Sequence, residues 1–94
     1  MLRIARTSQF KRDYKRELKG RHKTTLENDL KEVLISLVQD ESLEVKYKDH
    51  ALTGNWKDHR DCHIKPDLVL IYRIVENENV LRLTRLGSHS ELGI

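Results

Sequence analysis

The 94-residue sequence has one cysteine, one proline, four glycines and five aromatic residues. A lone Cys62 rules out an internal disulfide framework and a cysteine-rich zinc site, and it fits a reducing compartment, so the expected location is the cytoplasm. Long apolar runs are also missing. The longest, Val33 to Val38 (broken by Ser36) and Leu68 to Tyr72, fall far short of the roughly 18 residues a membrane span needs, so no membrane partner is expected. The start, Met1-Leu2-Arg3-Ile4-Ala5-Arg6, has no apolar core and no small-residue cleavage site, and no signal peptide is expected. What is present suffices for a thin core: Leu, Ile, Val and Phe supply 27 of 94 residues, about 29% and above the level at which highly charged chains stay disordered. At this length the expectation is a single domain over residues 1–94.

Charge makes up 35% of the chain, and the formal net charge of +3 conceals a strong asymmetry. Residues 1–23 hold nine Lys and Arg against Asp13 and Glu17, for +7, and the remainder sums to −4. Such a patch favours a polyanionic partner, and the candidate contacts are Lys11, Arg12, Lys15, Arg16, Lys19, Arg21 and Lys23. Leu2 and Ile4 alternate with Arg3 and Ala5 as a short strand with one buried face. Phe10, Tyr14 and Leu18 then share one face of a helix opened by Thr7 or Ser8 and ended by Gly20. Thr24-Thr25-Leu26-Glu27 has capping-box spacing before a second helix with Leu26, Leu30, Val33, Leu34, Leu37 and Val38 on its apolar face. Gln39 to Gly54 reads as a long connection. Period-two patterning returns at about Asn55–Lys65, Leu68–Val75 and Val80–Leu86, separated by turn residues. The expected fold is α+β, βααβββ, with a helical hairpin packed on one face of a mostly antiparallel sheet.

In the first of these late strands, Trp56, Cys62 and Ile64 share one parity and are expected to face the core, which turns Asp61 and His63 to the opposite side. Asp67, Arg85 and His89 sit at neighbouring strand ends, and His50 lies in the preceding loop. This set suits RNA cleavage. A ribose 2′-hydroxyl must lose a proton, the phosphorane needs positive charge, and the leaving 5′-oxygen needs a proton. Histidines supply the proton transfers, carboxylates orient and tune them, and Arg85 stabilises the phosphate. Each residue also has a plainer reading: Asp67 as a turn residue after Pro66, Arg85 as a solvated strand residue, Cys62 as a small core hydrophobe. His63-Xaa3-Asp67 with His50 lacks reliable metal-ligand spacing, so no metal or other cofactor is expected, and without a Gly-Xaa-Ser-Xaa-Gly nothing marks Ser88 or Ser90 as a nucleophile.

The stretches Tyr47-Lys48-Asp49-His50-Ala51-Leu52-Thr53-Gly54-Asn55-Trp56-Lys57, Arg60-Asp61-Cys62-His63-Ile64-Lys65-Pro66-Asp67, Leu70-Ile71-Tyr72 and Arg85-Leu86-Gly87-Ser88-His89-Ser90-Glu91-Leu92 resemble the YafQ-like branch of the RelE/ParE toxin superfamily. The resemblance implies a RelE-like microbial RNase fold and the toxin of a bacterial type II toxin-antitoxin pair, an mRNA interferase that cuts the message in the ribosomal A site without metal. It carries His50, Asp61, His63, Asp67 and His89 over as catalytic positions and Arg85 as the phosphate-stabilising one. Within it, His89 is the expected general acid, with His50 or His63 taking the 2′-proton. Implied partners are the ribosome, mRNA and a cognate antitoxin of DinJ-like, ribbon-helix-helix type. Family members commonly end in His-Xaa-Xaa-Leu-Phe, whereas Gly93-Ile94 follow Leu92 here. The alternatives are a ParE-like inhibitor of DNA gyrase, for which the His/Asp set has no use, and a member that binds RNA or antitoxin without cutting.

Overall fold

The computed structural model describes all of residues 1–94. Strand β1 (Arg3–Arg6) leads into helices α1 (Ser8–Leu18) and α2 (Leu26–Val38). There follow the two-residue strand β2 (His50–Ala51), strands β3 (Arg60–Lys65), β4 (Leu68–Val75) and β5 (Val80–Gly87), and a short helix α3 (His89–Leu92). The five strands form one sheet in the order β1-β5-β4-β3-β2. Only β1 against β5 is parallel. The expected order is therefore present, with β2 and α3 added where the sequence reads as connection and tail.

Phe10 from α1 and Leu26, Leu30, Val33 and Leu37 from α2 bury themselves against Cys62, Ile64, Leu68, Leu70, Tyr72, Leu81, Leu83 and Leu86 of the sheet. Full burial of a side chain of this size is worth about 1.5–3 kcal/mol, which makes this face the main source of stability. The helical pair is splayed, with an apolar groove of about 630 Å³ between the two helices. The end of α1 leaves the core, since Leu18 is exposed although it shares the face of Phe10. Ile4 is exposed too, because β1 is the edge strand and its whole length faces solvent.

Helix starts are set by side-chain oxygens. Thr7 Oγ1 accepts the Phe10 amide at 3.0 Å and begins α1. The expected box at Thr24–Glu27 does not form, and Thr25 makes no capping hydrogen bond. A complete capping box is found instead at α3, where Ser88 and Glu91 cap each other.

Two irregularities set which side chains face which way. The β4–β5 register shifts between Ile71 and Tyr72, so that Tyr72 lies opposite Leu83 but Ile71 lies opposite Arg85, leaving Thr84 as the extra residue. Without that bulge, Arg85 would share the core-facing parity of Leu81 and Leu83; with it, Leu86 turns inward and Arg85 turns to the other face. The second shift, between His63 and Lys65, lets β3 close onto Leu68.

β1 ends at Arg6, and the exposed edge of β5 is completed by groups from α1. Leu83 O accepts from the Thr7 amide (3.1 Å), Thr84 O from Thr7 Oγ1 (2.8 Å) and Leu86 O from Arg16 Nη2 (2.8 Å). The Leu86 amide donates to Asp13 Oδ2 (3.0 Å). The N-cap residue Thr7 and two side chains of α1 thus stand in for the missing strand partners.

β4 is buried on both faces. Val69 and Ile71 point away from the helices and form a second small cluster with Leu92, over which Leu52 and Trp56 pack. This corrects the parity reading for Trp56. It sits in a 3-10 turn (Gly54–Trp56) rather than on β3, and it covers the sheet face opposite Cys62 and Ile64.

Candidate active site

Directly opposed residues in neighbouring strands project to the same face, which lines up two rows across the sheet. The first runs His50, Asp61, Ile71, Arg85, and the second His63, Val69, Gly87. With strands roughly 4.8 Å apart, Arg85 stands about two strand spacings, on the order of 10 Å, from Asp61.

His50 is held from both sides. Its Nδ1 donates to the Lys48 carbonyl at 2.8 Å and lies 3.1 Å from Asp61 Oδ1. The hydrogen points to the carbonyl, so Asp61 Oδ1 has no donor of its own although the carboxylate is 2% exposed. Burial drives the Asp61 carboxyl above its ordinary range, against the pull of the nearby His50, His63 and His89 rings, and Asp49 adds to the rise. His50 owes its position to a network that sequence reasoning missed. Asp49 Oδ1 accepts from Tyr72 Oη at 2.6 Å, and Arg60 Nε donates to the same oxygen at 3.3 Å. This ties the connecting segment to the middle of the sheet, and burial together with the Asp49 charge drives the Tyr72 hydroxyl far above its ordinary value. No pattern in the sequence singled out Asp49; its position beside His50 was the only signal.

His63 and His89 meet edge to face with ring centroids 4.9 Å apart. Partial burial lowers the His63 pKa; Asp61 opposes this, and the His89, Lys48 and His50 cations add to the lowering. His89 is the first residue of α3. Its Nδ1 lies 2.7 Å from Asp67 Oδ1, and its amide donates to the same oxygen at 3.0 Å. These bonds hold Asp67 below the usual carboxylate range. They also leave His89 Nε2 free to face a substrate. Asp67 is therefore a partner of His89 as well as a turn residue.

The bulge brings Arg85 to the His/Asp face, but its Nε and Nη2 donate to Asp13 at 2.8 and 3.2 Å. Asp13, fully shielded from solvent, also accepts from Arg16 Nη1 at 2.9 Å. Sequence reasoning counted Asp13 only as a charge. Of the seven basic candidates, Arg16 is committed internally, to Asp13, Glu17, Glu91 and Leu86 O. Arg12 bonds Gln9, and Arg21 reaches to 3.8 Å of Asp67 Oδ2. Lys11, Lys15, Lys19 and Lys23 are exposed. Cys62 is fully buried and its thiol is pushed far up by desolvation, as expected of a core residue. Gly93 closes α3 in the left-handed region at φ 70°.

The five sequence-predicted His and Asp positions thus lie on one face of β2–β4 and the adjoining α3, with the Asp61 carboxylate and the Asp67–His89 pair as their two acidic elements. The model for the bacterial toxin of type II toxin-antitoxin systems, YafQ, matches residues 2–93. The mRNA interferase toxin YafQ of Escherichia coli K12 is 39% identical over 90 residues, covering 95% of this chain and 92% of that protein. A metal-bound toxin from Helicobacter pylori is 45% identical, with a TM-score of 0.82 over 98% of this chain and 99% of that one. The E. coli DinJ-YafQ complex contains a chain 33% identical, with a TM-score of 0.79 over 98% of each. In this structure no three His, Cys, Asp or Glu side chains are grouped closely enough to hold a metal ion.

Proposed function

The chain belongs to the YafQ family of bacterial toxins from type II toxin-antitoxin systems, and on that premise we propose that it is an endoribonuclease that cuts mRNA in the ribosomal A site by 2′-hydroxyl attack. The observation that carries this reading is the pairing of two differently tuned acid–base elements on one sheet face. A buried carboxylate sits with His50 and His63, and an exposed Asp67 orients His89. Groups whose environments push their proton affinities apart are suited to opposite proton transfers.

In this mechanism His63, kept neutral by burial and by neighbouring cations, takes the proton from the 2′-hydroxyl. The charge of Asp61 stabilises the imidazolium that results, and His50, fixed by the Lys48 carbonyl, stands beside that carboxylate. The 2′-oxygen attacks the adjacent phosphorus, and Arg85, aligned by Asp13, offers its remaining Nη1 to the phosphorane. His89 gives its Nε2 proton to the departing 5′-oxygen while Asp67 holds Nδ1. The products are a 2′,3′-cyclic phosphate and a 5′-hydroxyl. Every step uses side chains of this chain alone.

The basic face of α1 serves as the contact with ribosomal RNA, and a DinJ-like antitoxin is the cognate partner, a reading supported by the DinJ-YafQ complex of E. coli. The test is to incubate the protein with programmed ribosomes in EDTA and map the message ends. A new 5′-hydroxyl end paired with a cyclic or 3′-phosphate supports the mechanism. An intact message points instead to a binding or gyrase-directed role.

A further inference from the structure

Trp56 is the only tryptophan in the chain, and the mechanism above makes no use of it. One side of its ring leans on the Val69–Ile71–Leu92 cluster, yet the residue is only half-buried. His59 meets it edge to face with centroids 5.5 Å apart. In front of the ring lies an open cavity of about 650 Å³ between the Leu52–Trp56 segment and the Leu92–Ile94 tail, with Thr53 and Asn55 as its polar wall. Sites that take small ligands run from roughly 300 to 1,000 Å³, so a nucleotide fits.

The cavity belongs to the same side of the sheet as the His/Asp face. Val69, under the indole, is the cross-strand partner of His63; Ile71 is the partner of Asp61; and Leu92 lies in the same short helix as His89. The backbone that carries the ring is also held in place. The Trp56 amide donates to Thr53 O, the His59 amide to Trp56 O and the Leu52 amide to His59 O, and Gly54 makes the turn at φ 65°. A flexible apolar side chain would cover Val69 and Ile71 equally well. A half-exposed indole beside a nucleotide-sized opening does something more, since a flat aromatic face in a polar-walled cleft suits an unstacked base.

We propose that Trp56 is a stacking platform for a nucleobase of the message next to the scissile phosphate, with Thr53 and Asn55 facing the edge of that base. Stacking holds the strand in the splayed form that in-line attack by the 2′-oxygen requires. The proposal rests on the endoribonuclease reading, and its test is separable from that reading.

Because Trp56 is the only tryptophan, selectively excited tryptophan emission reports this site alone. Titration of the wild-type protein with a non-cleavable 2′-deoxy trinucleotide is expected to give saturable quenching. The same sugar-phosphate without bases is expected to bind about tenfold or more weakly, the scale of one lost base stack. Absent quenching, or equal quenching by the abasic strand, overturns the proposal. On programmed ribosomes, Trp56→Phe is expected to keep cleavage within about threefold, and Trp56→Ala to lower kcat/KM about tenfold or more. An unchanged Trp56→Ala, or equal losses in both variants, overturns it too. Base-dependent quenching without any cleavage of message supports the platform and refutes the nuclease reading. Quenching by an acidic peptide in place of the base-bearing strand assigns the cavity to a protein partner and overturns the platform.

Discussion

Replacing Asp13 with Ala removes a carboxylate that solvent does not reach and that five donors share: the Leu86 amide, Arg85 Nε and Nη2, Arg16 Nη1 and Gln9 Nε2. The Leu86 amide is then left unpaired at a buried sheet edge, at a cost of about 1–3 kcal/mol. Arg85 and Arg16 are 23% and 39% exposed, so their charges recover part of their hydration and add about 1 kcal/mol each. The expected loss is about 4 kcal/mol, within the range for breaking a buried ion pair by removing one partner. For a domain of this size that lowers the melting temperature by at least about 16 °C. Asp13→Asn keeps a carbonyl for the Leu86 amide and is expected to lose about half as much.

The pH dependence follows from the same contacts. Burial acts to raise the Asp13 pKa, but the hydrogen bonds from Arg85, Leu86 and Gln9 and the Arg85 charge outweigh it, and the carboxyl titrates below its ordinary value. Its contribution is present in full above the unfolded-state value of about 3.9 and is lost as pH falls through the lower folded-state value. Thermal unfolding followed by circular dichroism at pH 7 and pH 3 is expected to show a large gap between wild type and Asp13→Ala that narrows in acid. Melting of Asp13→Ala within 3 °C of wild type at pH 7 would refute the reasoning.

His89→Gln is expected to leave ribosome binding intact while slowing cleavage by two to four orders of magnitude, about the scale of one general acid; equal single-turnover rates sink its assignment. Joint replacement of Lys11, Lys15 and Lys19 by Glu, which spares the internally bound Arg16, is expected to weaken ribosome binding and flatten its salt dependence, measured by co-sedimentation across a salt series. The acidic limb of the cleavage pH profile is expected below the ordinary imidazole value, because burial and the His89, Lys48 and His50 cations lower the His63 pKa against the pull of Asp61. Lys48→Glu exchanges a cation for an anion, raises the His63 pKa and moves that limb to higher pH; a limb that stays put removes His63 as the base. Cys62 is expected to resist alkylation in the folded protein and to react only on unfolding, and rapid labelling under native conditions would contradict its burial.

The helices and three long strands were legible because their periodicities are clean. Leu26, Leu30, Val33 and Leu37 are buried on α2 as their spacing requires. What escaped was whatever depended on pairing between distant segments. Arg85 follows Leu81 and Leu83 in parity, and only the bulge opposite Ile71 and Tyr72 turns it over; alternation within one strand carries no sign of an extra residue that its neighbour creates. Ile4 reads as buried until β1 proves to be an edge strand. Trp56 reads as strand because the pattern continues back from Cys62, whereas Gly54 at positive φ breaks it. Leu68–Val75 reads as period-two, whereas β4 is covered on both faces over Leu68–Tyr72, where the apolar run does not alternate. Among site residues, the histidines and their carboxylates announced themselves by chemistry. Asp49 and Asp13 did not, because each owes its importance to the residue it holds in place.

The side chains of α1 that complete the edge of β5 have a consequence for the order in which the molecule comes into being. Thr7 joins Thr84 across 77 positions, and Asp13 joins Leu86 across 73. A chain made from its N-terminus has its first strand and basic helix long before their partners exist. Loop closure over such a separation is slow, and the sheet that carries His63 lacks its far side until β5 has docked. His89 arrives later still, two residues beyond β5. A nascent copy therefore brings His63 and His89 together only after β5 has docked and α3 has followed it.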